Sequence, residues 1–167
     1  MSNSACLHTI TEETFSDDLT PVCCGDDYLC SNSNERGKMK DFRVYLCGPI
    51  NGCTDNECMD WRTQVKLIFT NSIDPMKRDY RGREAESYRE IVDLDKRDVR
   101  NADVVLVNYS KPSVGTAMEV FYAWTLGKPV IVWCAPETVI SPWLRYHSTA
   151  IVHSLPDAIT KICEVAV

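Results

Sequence analysis

The sequence of 167 residues lacks any apolar run near the ~18 residues that a membrane-spanning helix needs. Its first residues, MSNSACLHTITEETF, contain neither the basic nor the apolar stretch of a secretory leader. Basic clusters are also missing, since 18 Lys and Arg residues stand against 24 Asp and Glu residues, whereas binding to a nucleotide polymer requires a basic patch. These absences predict a cytoplasmic protein whose partners are neither membranes nor nucleic-acid polymers.

The nine cysteines fit no common metal or redox spacing. Cys23, Cys24 and Cys30, with His8 as a distant fourth ligand, depart from the usual zinc patterns, although a metal at these four residues stays an alternative. The odd count, the lack of a leader and the placement of several cysteines in apolar runs favour reduced thiols. We therefore expect that these cysteines are incidental thiols that hold no metal.

The composition divides the chain near residue 40. Residues 1–40 show no sustained periodicity, are rich in Ser, Asn, Asp and Thr, and carry seven acidic and three basic residues. This composition predicts a flexible or loosely docked N-terminal extension. Residues 41–167 have the regular apolar pattern of a folded domain.

Within that domain, short apolar runs alternate with segments of helical periodicity. Continuous apolar strands of this kind lie in parallel sheets that are covered on both faces. The pattern predicts an α/β fold with a doubly wound, five-stranded parallel sheet of the flavodoxin or Rossmann-like kind, with helices on both faces and the strand order 2-1-3-4-5. The predicted strands are 42–48, 71–76, 102–109, 128–134 and 149–153.

Ligands of such sheets bind beyond the carboxyl ends of the strands. The first loop at that edge, CGPINGC, places Gly48 and Gly52 around Pro49, where the backbone can approach a ligand closely. It is not the G-x-G-x-x-G pattern, so a dinucleotide site is not supported. The loops selected by this rule are 48–54, 75–84, 109–116 and 134–147.

The segment KPSVGTAMEVFYAW, residues 111–124, opens an apolar helix directly after a predicted strand. Free N–H groups at a helix start attract anions, and the hydroxyls of Ser113 and Thr116 add donors. A phosphate site and a simple capped turn therefore explain this segment equally well. Glu119 has mostly apolar neighbours, and carboxylates are rarely buried without a reason. A favourable contact with the helix dipole is the structural alternative, but the position at the ligand edge favours an acid that lines a pocket.

A second candidate acid is Asp95, in the charged segment DLDKRDVRNAD. Its spacing from Asp93 and Asp98 is by itself typical of a solvated helix face.

Three segments, VYLCGPINGC, DLDKRDVRNADVVLV and PSVGTAMEVFYAWTLGKPV, resemble motifs of the nucleoside 2-deoxyribosyltransferase family, which includes nucleotide N-glycosidases. The resemblance covers about residues 43–160, and it implies that residues 41–167 form a catalytic domain of this kind. The third segment is the most specific, because it combines Ser-x-Gly-x-x-x-Glu with a following aromatic helix.

In that family the motif glutamate attacks the anomeric carbon of the sugar, and the resemblance implies this role for Glu119. A covalent glycosyl-enzyme ester forms, and water or a second base then takes the sugar with overall retention. The resemblance also implies that Asp95 assists departure of the base or orients the sugar. Tyr45 is implied as a third residue of the catalytic pocket.

The resemblance further implies a substrate site shared between subunits. Ser113 stands where free-nucleoside transferases tend to have an acid, and a serine hydroxyl can donate to a 5′-phosphate without repelling it. Lys77 stands where the transferases use an aspartate to recognise the base. Ser141 aligns with a residue that is given to the neighbouring subunit's site, which implies a homodimer or a larger homo-oligomer. The implied substrate-binding residues are Gly48, Ile50, Asn51, Gly52, Lys77, Ser113, Gly115 and Ser141.

The resemblance implies an N-glycosidase that cleaves the base–sugar bond of 2′-deoxynucleoside 5′-monophosphates or nucleosides through a covalent glycosyl-glutamate. We expect such an enzyme to require neither a metal nor an organic cofactor. One alternative is a nucleoside 2-deoxyribosyltransferase that exchanges bases between deoxynucleosides. The other is a non-catalytic nucleotide-binding or sensing module on the same fold, since a fold alone does not secure a function.

Overall fold

The computed structural model describes residues 42–166 of the chain. The predicted N-terminal extension, residues 1–40, lies outside the described residues, and so does the possible metal site at Cys23, Cys24, Cys30 and His8.

Four parallel strands form the sheet, in the order β1-β2-β3-β4. They are almost entirely apolar, and the first two are buried along their whole length, as expected for a parallel sheet with both faces covered. The strands are β1 (Val44–Cys47), β2 (Val104–Asn108), β3 (Val130–Trp133) and β4 (Ala150–Val152).

The sheet has four strands and not the predicted five, because the predicted second strand, 71–76, does not form. Only Ile73 of this segment pairs with β1. Ile73 forms a single parallel bridge with Tyr45, and its backbone exchanges hydrogen bonds of 2.9 and 2.8 Å with Leu46 and Val44. The segment cannot continue as a strand because Asp74 caps a 3-10 turn that begins at Pro75, and proline has no N–H for a ladder. Ile73 still occupies the edge at which the predicted second strand was expected.

Within residues 42–166, five helices cover the two faces of the sheet. They are α1 (Asp55–Ile68), α2 (Glu84–Asn101), α3 (Val114–Thr125), α4 (Pro142–Tyr146) and α5 (Leu155–Val165). One apolar cluster joins α1 and α5 to the sheet, and a second joins α2, α3 and α4 to the opposite face. The α/β architecture with a parallel sheet between helices is therefore confirmed. None of these helices, within residues 42–166, is long and apolar enough to cross a bilayer.

The alternation of side chains along β1 decides which residues reach the site. Val44 and Leu46 belong to the cluster under α1 and α5, whereas Tyr45 and Cys47 belong to the cluster under α2 and α3. Since successive side chains of a strand point to opposite faces, Tyr45 and Cys47 both face the helix that carries Glu119.

Candidate active site

A cavity of about 560 Å³ opens beyond the carboxyl ends of β1 and β2. Its walls come from the first loop, from the loop after the 3-10 turn, from α2 and from the start of α3. The structure brings most of the predicted residues together here. The predicted residues that line the cavity are Gly48, Ile50, Asn51, Asp95, Ser113, Gly115 and Glu119.

Glu119 lies in the second turn of α3, and both of its carboxylate oxygens accept hydrogen bonds from β1. The Tyr45 hydroxyl donates to Oε1 at 2.9 Å, and the Cys47 thiol donates to Oε2 at 2.8 Å. The Glu119 side chain is only partly buried and still lines the cavity. The carboxylate is therefore fixed by donors from the sheet while it remains accessible to a ligand in the cavity.

Asp95 of α2 faces Glu119 and changes its protonation. The pKa of Glu119 is raised to about 7, first by burial and then by the charge of Asp95, while the hydrogen bonds from Cys47 and Tyr45 act in the opposite direction. Burial also raises the pKa of Asp95, against the lowering effect of Arg78. Two neighbouring carboxyl groups ionise one after the other, so the pair holds one proton over a range that ends near pH 7.

Arg78 holds the second carboxyl in place, and sequence reasoning missed this role. Its Nη2 lies 2.6 Å from Asp98 Oδ2 and 3.4 Å from Asp95 Oδ1. Asp98 is buried, so the guanidinium joins a fixed acid of α2 to the acid that faces Glu119. The available signal was an arginine in the loop 75–84, at the edge of the sheet where ligands bind.

The first loop is shaped by close packing at Gly48. A Cβ at this position would lie 3.1 Å from the Trp61 ring and 3.2 Å from Asn108, so a larger residue would have to displace one of them. Gly52 adopts a φ of 72°, a left-handed conformation that glycine adopts without steric cost. Gly52 turns the chain at the loop, but it is not among the residues that line the cavity.

A buried arginine supports this loop from below. Arg62 is fully buried, and its guanidinium donates to the carbonyl oxygens of Leu46 and Gly48 at 3.4 and 3.3 Å. Its Nε lies 3.5 Å from the buried carboxylate of Asp74, which also pairs with Lys66 at 2.7 Å. The end of β1 and the first loop are thereby tied to α1.

The start of α3 presents hydrogen-bond donors to the cavity. Ser113 is the N-cap, and its Oγ accepts the Thr116 N–H at 3.4 Å. The hydroxyl of Thr116, a residue that lines the cavity, is buried and has no hydrogen-bond partner among the described residues. A free donor at a helix N-terminus is suited to an anion.

Besides Tyr45 and Gly52, two further predicted residues do not line the cavity of their own chain. Lys77 is exposed in the 3-10 turn, whereas its neighbour Arg78 reaches the cavity. Ser141 is exposed and caps α4 by accepting the Leu144 N–H at 3.1 Å. A role of Lys77 in base recognition and a role of Ser141 in a partner's site stay predictions.

A carboxylate beside a second carboxyl group in a cavity is typical of enzymes that transfer glycosyl groups through a covalent ester. The model of the nucleoside 2-deoxyribosyltransferase family matches residues 44–155. The chain belongs to this family.

Individual relatives agree with this assignment. The chain is 28% identical over 117 residues to the 5-hydroxymethyl-dUMP N-hydrolase of Mus musculus, a match that covers 65% of this chain and 68% of that protein. It is 26% identical over 117 residues to the enzyme of the same name from Rattus norvegicus, with 65% and 72% covered. The fold is similar to that of a 2-deoxyribosyltransferase from Bacillus psychrosaccharolyticus, with a TM-score of 0.58, 18% identity, and 69% of this chain and 88% of that chain covered.

Proposed function

We propose that this protein is an N-glycosidase that hydrolyses the base–sugar bond of 2′-deoxynucleoside 5′-monophosphates. The observation that carries the proposal is the Glu119 carboxylate, held by Tyr45 and Cys47 on the cavity wall with Asp95 opposite. Both rodent relatives carry the name of a nucleotide N-hydrolase, which favours the same reaction for this chain.

In the first step, an oxygen of ionised Glu119 attacks the anomeric carbon. The bond from carbon to the base nitrogen breaks as the new carbon–oxygen bond forms, and its electron pair leaves with the base. Protonated Asp95 supplies a proton to the departing base. The preformed cavity keeps the reacting groups close, which lowers the entropic part of the barrier.

In the second step, water attacks the same carbon and releases the glutamate. Asp95, now ionised, accepts a proton from that water. Two inversions give net retention at the sugar. The residues return to their starting protonation, with one proton on the carboxyl pair.

The start of α3 supports a phosphate on the 5′ side of the sugar. Ser113, Gly115 and Thr116 offer hydroxyl and backbone donors at a helix N-terminus, and the unpaired Thr116 hydroxyl gains a partner when an anion binds. The cavity also contains the cations Arg78 and Arg81, but each is paired with aspartates. The phosphate therefore depends chiefly on the helix N-terminus.

Base transfer is the second candidate. It shares the first step with hydrolysis, and the similarity of the fold to a 2-deoxyribosyltransferase favours it. A second base would then occupy the place of the attacking water.

We also propose that the working unit is a homodimer or a larger homo-oligomer with Ser141 supplied to the partner's cavity. The surface beside Ser141 supports this, because Trp143 and Tyr146 are 72% and 70% exposed. The Trp124 ring contacts Tyr146, and the Phe121 ring contacts Trp124. Exposed aromatic clusters of this size are typical of protein interfaces. Light scattering of the full chain, with Trp143→Ser as the variant, tests the assembly.

We place the reaction in the cytoplasm on the sequence features alone.

The test of the function is chromatography of free base released from deoxynucleosides and their 5′-monophosphates, with and without a second base. Release from monophosphates without an acceptor is expected. Exchange that requires an acceptor and proceeds on unphosphorylated substrates would identify a transferase instead. Tight binding of nucleotides without turnover would favour a sensing module.

Two substitutions at the start of α3 test the phosphate. Ser113→Asp places a negative charge in the proposed phosphate site, so the rate on monophosphates should fall by more than about tenfold relative to nucleosides. Ser113→Asn, which keeps an N-cap side chain without a charge, is the matched control. Equal losses of rate on both substrate classes would show that the phosphate does not bind at Ser113.

A further inference from the structure

The thiol of Cys47 is the least expected partner of Glu119. Cys47 ends β1 and is fully buried. Its Sγ lies 2.8 Å from Glu119 Oε2, whereas its other neighbour, the carbonyl oxygen of Thr116, is 4.0 Å away. The thiol proton is therefore directed to the carboxylate.

The surroundings keep this thiol protonated. Burial raises the pKa of the Cys47 thiol well above its ordinary value, and the charge of Glu119 raises it further. Of the other charged groups nearby, Asp95 of α2 acts in the same direction and Arg62 of α1 acts against it. A thiol that stays protonated is a donor and not a nucleophile.

The two donors on the carboxylate differ in strength. The Tyr45 phenol is a strong donor to Oε1, and the Cys47 thiol is a weak donor to Oε2. Strong donors on both oxygens would stabilise the carboxylate and make it a poorer nucleophile. With no donor on Oε2, burial and Asp95 would keep the carboxyl protonated over a wider range of pH.

We propose that Cys47 is a positioning residue, whose thiol fixes the rotation of the Glu119 carboxylate and sets its basicity through Oε2. This inference rests on the proposed role of Glu119 as the nucleophile. It assigns a function to a cysteine that the sequence places inside an apolar strand.

Two nearly isosteric variants test the proposal through the pH profile of kcat/KM for base release. In the wild type, kcat/KM should fall above about pH 7, where the carboxyl pair loses its last proton, and this fall is the alkaline limb of the profile. Cys47→Ala removes the donor, so the limb should move to higher pH by about one unit and the maximal rate should fall roughly tenfold. Cys47→Ser provides a stronger donor, so the same limb should move to lower pH. KM should change little in either variant, because Cys47 is not among the residues that line the cavity.

The matched control is Cys134→Ala, which removes another buried thiol directly after β3, two strands away from β1 in the sheet. Its sulfur contacts the carbonyl oxygen of Val152 and His153, not Glu119. The limb should stay where it is in the wild type. If Cys47→Ala and Cys47→Ser lower the melting temperature without moving the limb, Cys47 only fills space and the proposal is overturned.

A measurement that needs no turnover separates this proposal from the proposed function. Carbon-13 NMR of glutamate labelled at the carboxyl carbon, assigned with Glu119→Gln, reports the titration of Glu119 directly. The Glu119 midpoint should rise in Cys47→Ala and fall in Cys47→Ser, even if the protein releases no base. An unchanged midpoint in both folded variants would overturn the role of Cys47, whatever the result of the base-release assay.

Discussion

The carboxyl groups of Asp95 and Glu119 come from the adjacent helices α2 and α3 and meet at one cavity. Each affects the other, because the charge of Asp95 raises the pKa of Glu119 and a hydrogen bond from Glu119 lowers the pKa of Asp95. The two carboxyl groups therefore titrate as one coupled pair. In the proposed mechanism Asp95 carries the pair's proton when Glu119 attacks, so the rate depends on how easily the proton moves between the two groups.

The pH profile of kcat/KM should be bell-shaped. In the proposed mechanism the pair must hold one proton, since ionised Glu119 attacks and protonated Asp95 assists. kcat/KM should fall above about pH 7, where the pair loses its last proton. It should also fall at low pH, where both groups are protonated. Initial rates of base release between about pH 4 and 9 check this, and a rate that keeps rising above pH 8 would exclude Asp95 as the acid.

Glu119→Gln should stabilise the protein at alkaline pH. Folding raises the pKa of Glu119 from 4.5 to about 7, so its contribution to stability is complete below about pH 4.5 and is lost as the pH rises through 7. The uncharged variant lacks this loss, and we expect it to be more stable than the wild type at pH 8 by about 2 kcal/mol. Urea unfolding at pH 5 and pH 8 measures the difference, and equal pH dependence in both proteins would contradict the raised pKa.

Arg78→Met should weaken both the fold and the site. It removes the cation that lies 2.6 Å from the buried Asp98 carboxylate, which should cost about 1–3 kcal/mol of unfolding free energy. The pKa of Asp95 should rise, since Arg78 lowers it, so the acid limb of the bell should move to higher pH.

The control for Arg78 is Arg97→Met. Arg97 is 55% exposed and lies 3.5 Å from the same Asp98, so its loss should cost less than about 1 kcal/mol and leave the acid limb in place. Equal effects of the two substitutions would mean that Arg78 has no special role at Asp95.

Arg62→Met should destabilise the protein more than any surface change. It leaves Lys66 as the one cation that the described residues place beside the buried Asp74 carboxylate, and it removes donors from the carbonyl oxygens of Leu46 and Gly48. We expect a loss of about 3–5 kcal/mol in the free energy of unfolding. Lys66→Met removes the more exposed partner of Asp74 and should cost far less. Urea unfolding measures the free energy of unfolding of both variants. A loss below about 1 kcal/mol in Arg62→Met would show that the network contributes little to stability.

The alternation of apolar strands and helices was enough to predict the α/β architecture and the edge of the sheet at which the cavity lies. The error was at residues 71–76, where apolar Ile73 suggested a strand. Asp74 and Pro75 turn the chain after a single bridge. A local apolar pattern cannot show how many residues pair with the adjacent strand, because that number depends on where the chain turns away from the sheet.

Within the site, Glu119 and the first loop were predicted because motifs carry them. Cys47 and Arg78 were not, because their importance lies in contacts between distant parts of the chain. Cys47 is 72 residues from Glu119 in sequence, and in isolation it is one more apolar residue of a buried strand. The sequence shows that a thiol is present but not that it points at a carboxylate.

The central claim is that Glu119 carries the sugar in a covalent ester. The most direct test is acid quenching of the wild type during turnover of a deoxynucleoside monophosphate, followed by mass spectrometry of the peptide that contains Glu119, with Glu119→Gln alongside. The account predicts a sugar phosphate on that peptide in the wild type, none in the variant, and a loss of base release in the variant of at least about a thousandfold. Base release by folded Glu119→Gln at the wild-type rate, with no modified peptide in either protein, would contradict it.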